Sequence, residues 1–322
     1  MSTSDTRILS RQRAVANAGG AAISTRSRAM VMEARHLLFT VSPGAAWIIV
    51  FLVLPSVYLM AVAFMSNGPY GLPQMPLSVD SFKQLSGFGF LGWSPGNLYT
   101  LLRSLWQTFL STVLVVIVAY PIAYYITTCR EKWRPIMLLA VVVPSWTNQV
   151  IRTFGWMNLL APDTPLSDLA SALGLISPNM GLYPSNFAVT LGLVYNFLPF
   201  MVLPLYAAFE KLDTAQVEAA QDLYASPLKA FWHAVFPQTL PGLLAGVVLV
   251  AIPAFGMYVI PELLGGGKGM MLGNLVATQF AGGSNWPLGA AGAILMLIAT
   301  FIGLFAMRRI GKRLGGGEEV VI

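Results

Sequence analysis

The sequence predicts an all-α integral membrane protein of six transmembrane helices with both termini in the cytoplasm. Two observations carry that expectation: 56% of the 322 residues are apolar and only 10% charged, and the apolar residues fall in long blocks flanked by Lys and Arg. An ordinary soluble domain carries roughly a quarter charged residues. Glycine and proline are frequent, at 30 and 21, yet the blocks between them are too apolar for a disordered chain.

A bilayer-crossing helix needs about 20 mostly apolar residues. Six stretches meet that requirement, at 42–66, 104–127, 136–160, 187–209, 242–263 and 287–307. The third is the least apolar, because Asn148, Gln149 and Arg152 interrupt it. Prolines 121, 144, 199, 204, 253 and 261 lie inside spans and mark possible bends.

Lys and Arg concentrate on the cytoplasmic side of short loops. Residues 1–36 read as a disordered cytoplasmic tail, with Arg7, Arg11, Arg13, Arg26, Arg28 and Arg35 in the segment before the first span at 37–66. Further basic clusters are Arg130, Lys132 and Arg134 after span two, Lys211 and Lys229 after span four, and Arg308, Arg309, Lys312 and Arg313 after span six. All but Lys83, Arg103, Arg152 and Lys268 of the 19 basic residues lie in these four segments. Residues 67–103 are then a periplasmic loop, 104–309 a five-helix core, and 310–322 a cytoplasmic tail.

The cytoplasmic connection at 210–241 reads as two short amphipathic helices. Asp213 can cap the first, with Gln216 completing a capping box and Leu212 and Val217 at the staple positions. Ser226 and Pro227 open the second; Leu228, Phe231, Trp232 and Val235 recur at i, i+3, i+4 and i+7, and Pro237 is expected to stop it. The apolar sides must be buried against the chain's own helix ends, a partner or the membrane surface. Glu210, Asp213, Glu218 and Asp222 outnumber Lys211 and Lys229, which favours a protein over anionic lipid.

The run Glu218, Ala219, Ala220, through Asp222, Tyr224, Ala225 and Ser226 to Pro237, resembles the EAA loop of binding-protein-dependent ABC importer permeases. Tyr224 stands where the family usually has Gly, and Ala234 and Phe236 where it has Ile and Leu. The stretches IRTFGWMNLL at 151–160, YNFLPFMVL at 195–203 and MYVIPELLG at 257–265, with Asn285 to Gly289, are similar to the larger permease of spermidine/putrescine importers. The resemblance covers about 100–310. It implies a type I importer permease fold with the loop as a coupling helix on an ATPase. It also implies a second homologous permease, two cytoplasmic ATP-binding subunits and a periplasmic substrate-binding protein as partners in a bacterial inner membrane.

No G-x-x-x-x-G-K-[ST] phosphate loop occurs in the sequence, so ATP hydrolysis is expected on another chain. Cys129 is the sole cysteine, His36 and His233 lie outside the spans, and no metal, cofactor or nucleic acid is expected. The cargo expected from the resemblance is a polyamine or related small organic cation, with an opine, phosphonate or iron as alternatives. A secondary transporter and a membrane scaffold are competing classes; a carrier would show repeated halves and midplane charges.

Candidate residues for a path or gate are Trp146, Asn148, Arg152, Asn196, Tyr258 and Glu262, with Gln149, Trp156 and Phe255 nearby in sequence. An aromatic face attracts an ammonium, although aromatics at span ends also anchor in the interface. If 136–160 were one helix, Arg152 would lie about 25 Å along it, level with Glu262. The two are therefore expected to pair in an external gate.

Overall fold

The structure, a computed structural model, describes residues 42–89, 92–177, 180–222, 226–267, 269–282 and 285–314. The expected tail at 1–36 lies outside the described residues, as does the tail expected at 310–322 except for 310–314, which continue the last helix. The chain divides into two units, Met1–Leu59 and Met60–Ile322. The described part of the first is helical and, with Met60–Ala63, forms α1 (Ser42–Ala63), which is exposed over almost all of its most apolar window.

The loop expected at 67–103 is shorter and more ordered than that, since the next helix already begins at Gly96; between the helices, β1 (Met65–Asn67) pairs with β2 (Pro73–Leu77), α2 (Asp80–Leu85) follows, and β3 (Phe88–Gly89) pairs with β4 (Gly92–Trp93). Asp80 and Lys83 form an exposed ion pair at 3.4 Å. The remaining elements are helical. They are α3 (Gly96–Thr128), α4 (Arg134–Trp146), α5 (Gln149–Leu159), α6 (Pro165–Ala172), α7 (Asn186–Glu210), α8 (Thr214–Asp222), α9 (Pro227–Phe255), α10 (Val259–Gly265), α11 (Leu272–Ala281) and α12 (Trp286–Leu314).

Among the described residues, five helices are long and apolar enough to cross a bilayer: α1, α3, α7, α9 and α12. The third expected span is not one helix. Pro144 lies in a 3-10 turn that ends α4, Thr147 takes an extended conformation (φ −73°, ψ 153°), and Asn148 caps a new helix. The fifth expected span, 242–263, breaks as well: α9 ends at Phe255 and α10 begins at Val259.

Pro237 does not stop the second amphipathic helix, which is the first part of α9 and runs on through Pro237 to Phe255. A π-helical stretch at Phe231–Val235 precedes it. That wider turn absorbs the hydrogen bond a proline cannot donate and moves the carbonyl its ring would strike in a regular α-helix.

The core lies between α3, α7 and α9. Gln107 Nε2 donates to Thr190 Oγ1 at 2.6 Å near the starts of α3 and α7, and the rings of Tyr120 and Tyr124 meet Phe209 near their ends, so the two helices run parallel. Val115, Ala119, Leu193, Met201, Leu205 and Val250 are fully buried here. α9 returns antiparallel, with Thr239 in its first half 2.8 Å from the hydroxyl of Tyr120, which lies toward the end of α3.

Two glycines let α9 approach α7. A Cβ on Gly242 would lie 2.6 Å from the Pro204 carbonyl oxygen and 2.5 Å from Ala208 Cβ, and one on Gly246 would lie 2.5 Å from Met201 Sδ. The obstacle at Gly242 is backbone, which cannot rotate away. Gly242→Ala is therefore expected to cost about 1–3 kcal/mol through overpacking, read as lower thermal stability of the purified complex. Gly303→Ala on α12, where nothing lies within 4 Å of the added carbon, should be neutral.

Candidate functional site

Two sets of residues stand out. The first is the helix pair between α7 and the core part of α9. The Asp213 carboxylate caps α8, accepting from the Ala215 N–H at 3.0 Å and from Gln216 Nε2 at 3.1 Å. The expected capping box is altered: the Asp213 N–H donates to Gln238 Oε1 at 2.9 Å instead of to Gln216. Gln238 Nε2 also donates to the Ala234 carbonyl at 2.9 Å and to Gln216 Oε1 at 3.4 Å. This amide lashes α8 to the start of α9.

Ser226 caps α9, its hydroxyl accepting from the Lys229 N–H at 3.4 Å, with Pro227 in the first turn. The apolar stripe of this helix divides. Phe231 packs on Tyr120 with ring centroids 5.7 Å apart, and Ala234 and Val235 are buried. Leu228 and Trp232 face outward and are 68% and 53% exposed.

On α8, Val217 turns inward to the core while Glu218, Ala219 and Asp222 are exposed and Ala220 is half-buried. Pro237 is exposed. Tyr224 and Ala225 lie outside the described residues. The pair thus offers an outer surface with acids on one helix and two large apolar side chains on the other.

The second set lies where the two broken helices meet. Asn148 caps α5, its Oδ1 accepting from the Val150 N–H at 2.8 Å. Gln149 Nε2 donates to Met257 Sδ at 3.1 Å, joining the start of α5 to the break between α9 and α10. Arg152 Nη2 donates to Asn196 Oδ1 on α7 at 2.9 Å, and its guanidinium carbon stands 5.9 Å from the Tyr195 ring centroid. Trp156 makes an edge contact with the same tyrosine, with centroids 5.4 Å apart.

Arg152 and Glu262 do not pair. Glu262 Oε2 accepts from Asn274 Nδ2 at 2.8 Å, and the same amide donates to the Tyr258 carbonyl at 3.0 Å. The extrapolation along one straight helix fails because the break at Thr147 and Asn148 restarts the axis. Trp146, Asn148, Tyr258 and Glu262 are exposed, Arg152 is half-buried, and Asn196 and Phe255 are buried. The aromatics therefore do not assemble into one cage.

Residues 90–316 match the family described as the binding-protein-dependent transport system inner membrane component. The chain belongs to this family. It is 33% identical over 281 residues to the spermidine/putrescine transport system permease protein PotB of Haemophilus influenzae, covering 87% of this chain and 96% of that protein. Identity to PotB of Escherichia coli strain K12 is 34% over 274 residues, covering 85% and 97%. Among solved structures, a bacterial ABC transporter that imports the acidic polysaccharide alginate aligns with TM-score 0.67 at 17% identity, over 87% of this chain and 97% of that one.

The chain is thus an inner-membrane permease subunit of an ABC importer and not an enzyme; in such systems the ATPase is a separate subunit and a binding protein delivers the solute. Leu228, Trp232 and Asn274 were not singled out as candidate site residues in the sequence. The first two were visible as members of an apolar stripe, but periodicity alone does not say which members face a partner. Asn274 lies in a stretch expected as an outer loop, and only the fold brings it to Glu262.

Proposed function

We propose that this permease forms half of the translocation path of an importer for polyamines or related small organic cations, beside a second homologous permease. The supporting observation is its 33–34% identity to spermidine/putrescine permeases over 85–87% of its length. In this reading both termini are cytoplasmic, as the basic segments require.

Glu218, Ala219, Ala220, Asp222, Tyr224, Ala225, Ser226 and Pro237 then belong to the ATPase-coupling segment, with Leu228 and Trp232 as its apolar contacts. The outer surface of α8 and α9 supports this, because exposed Trp and Leu beside acids suit a protein cleft better than a lipid headgroup layer. The junction of α5, α7 and α10 serves as the gate. It carries the in-span cation Arg152, and such groups in a membrane usually mark a path.

The test is uptake by cells carrying the gene with its importer partners. Radiolabelled spermidine or putrescine should accumulate, and deletion of this permease should abolish that accumulation while leaving the partners expressed. Unchanged polyamine uptake in the deletion, with loss of uptake of a phosphonate, an opine or iron, would reassign the cargo.

A further inference from the structure

A groove of about 690 Å³ runs along the outer faces of α3 and α7. One end is polar: Arg103 is half-buried there, hydrogen-bonded to Asn186 Oδ1 at the start of α7, and flanked by the exposed Tyr99 and Trp106. No acid forms an ion pair with Arg103 among the described residues. Its charge is answered only by a neutral amide. The floor nearby is satisfied internally, since Gln107 donates to Thr190 and Thr190 to the Asn186 carbonyl.

Away from Arg103 the groove is apolar, lined by Leu110, Leu114 and Val118 on one wall and Leu191 and Val194 on the other. From Arg103 to Leu114 the helix rises about 16 Å, half of a hydrocarbon core about 30 Å thick. A cation at the head, aromatics beside it and an apolar slot one leaflet deep match an anionic headgroup joined to an acyl chain. Tyr and Trp favour that interfacial level, and Arg suits phosphate through its fork of donors.

We propose that this groove holds a membrane glycerophospholipid, its phosphate on Arg103 and one acyl chain between α3 and α7. The proposal rests on the membrane placement of the permease and is independent of the cargo. It is independent, too, of which leaflet Arg103 faces.

The test is native mass spectrometry of the assembled complex extracted from membranes containing phosphatidylglycerol, phosphatidylethanolamine and cardiolipin, together with photo-crosslinking from a benzophenone residue at Leu110. A retained phospholipid and a crosslink to lipid are expected. Arg103→Gln should lower lipid occupancy about tenfold, as loss of a charged hydrogen bond would. Leu114→Trp, which fills the slot and leaves Arg103 intact, should lower it as well.

A Leu110 crosslink to another polypeptide would show that a protein helix covers the groove and would overturn the proposal. So would unchanged lipid occupancy in both variants. Polyamine uptake is scored separately, so failure of the lipid reading and failure of the cargo reading are distinguishable.

Discussion

Trp232→Ala is expected to uncouple the importer: cargo-stimulated ATP hydrolysis and uptake should both collapse while the permease still inserts into the membrane. Trp232 is 53% exposed although it belongs to an apolar stripe of which Phe231 and Val235 pack inward and only Leu228 shares its outward face. Large aromatic side chains buried by a partner cost about 2 kcal/mol or more when truncated, which weakens association roughly thirtyfold. Its ring also lies 4.9 Å from Phe236, so a local rearrangement must be separated from a lost contact.

Leu228→Ala makes that separation. Leu228 is 68% exposed, so its removal takes away outer surface without opening the core. Glu218→Lys reverses a charge on the neighbouring helix and should act in the same direction. Copurification of the ATPase with the permease gives association, and hydrolysis in proteoliposomes gives coupling. Parental values for both in Leu228→Ala and Glu218→Lys would show that this surface is not the coupling element.

Much of this surface was legible before any coordinates, because capping chemistry is local. Asp213, Ser226 and Pro227 mark helix starts within a few residues of themselves, and the structure places caps there. Long spans such as α3 and α7 are equally local, since apolar length alone decides them. The breaks were legible only in part: Pro144 and Pro253 mark bends, and Asn148, Gln149 and Arg152 interrupt the third apolar run, yet the length of each run still allowed one continuous helix. Likewise Gly256 and Met257 separate α9 from α10 at a point where α11 packs close to the backbone: a Cβ on Gly273 would lie 2.6 Å from the Gly256 carbonyl oxygen.

Pairing across the membrane was the least legible feature, for the same reason. Sequence distance places Arg152 and Glu262 at one level only if the helix between Pro135 and Arg152 is straight. Once it breaks, the nearest polar groups change: Asn196 meets Arg152, and Asn274 meets Glu262. Both are amides, which satisfy a charge by hydrogen bonding without neutralising it. A neutral partner leaves the arginine charge available, whereas a carboxylate would cancel it.

That difference gives a sharp expectation for double-mutant cycles on uptake and on thermal stability of the complex. Arg152→Ala and Asn196→Ala should each impair transport, and together they should cost less than the sum, with a coupling of about 1.5–3 kcal/mol for a hydrogen bond to a charged group. Arg152→Ala with Glu262→Ala should instead add within about 0.5 kcal/mol, because the two share no direct contact. Additive losses for Arg152 and Asn196, with coupled losses for Arg152 and Glu262, would reverse the assignment and restore a salt-bridged gate.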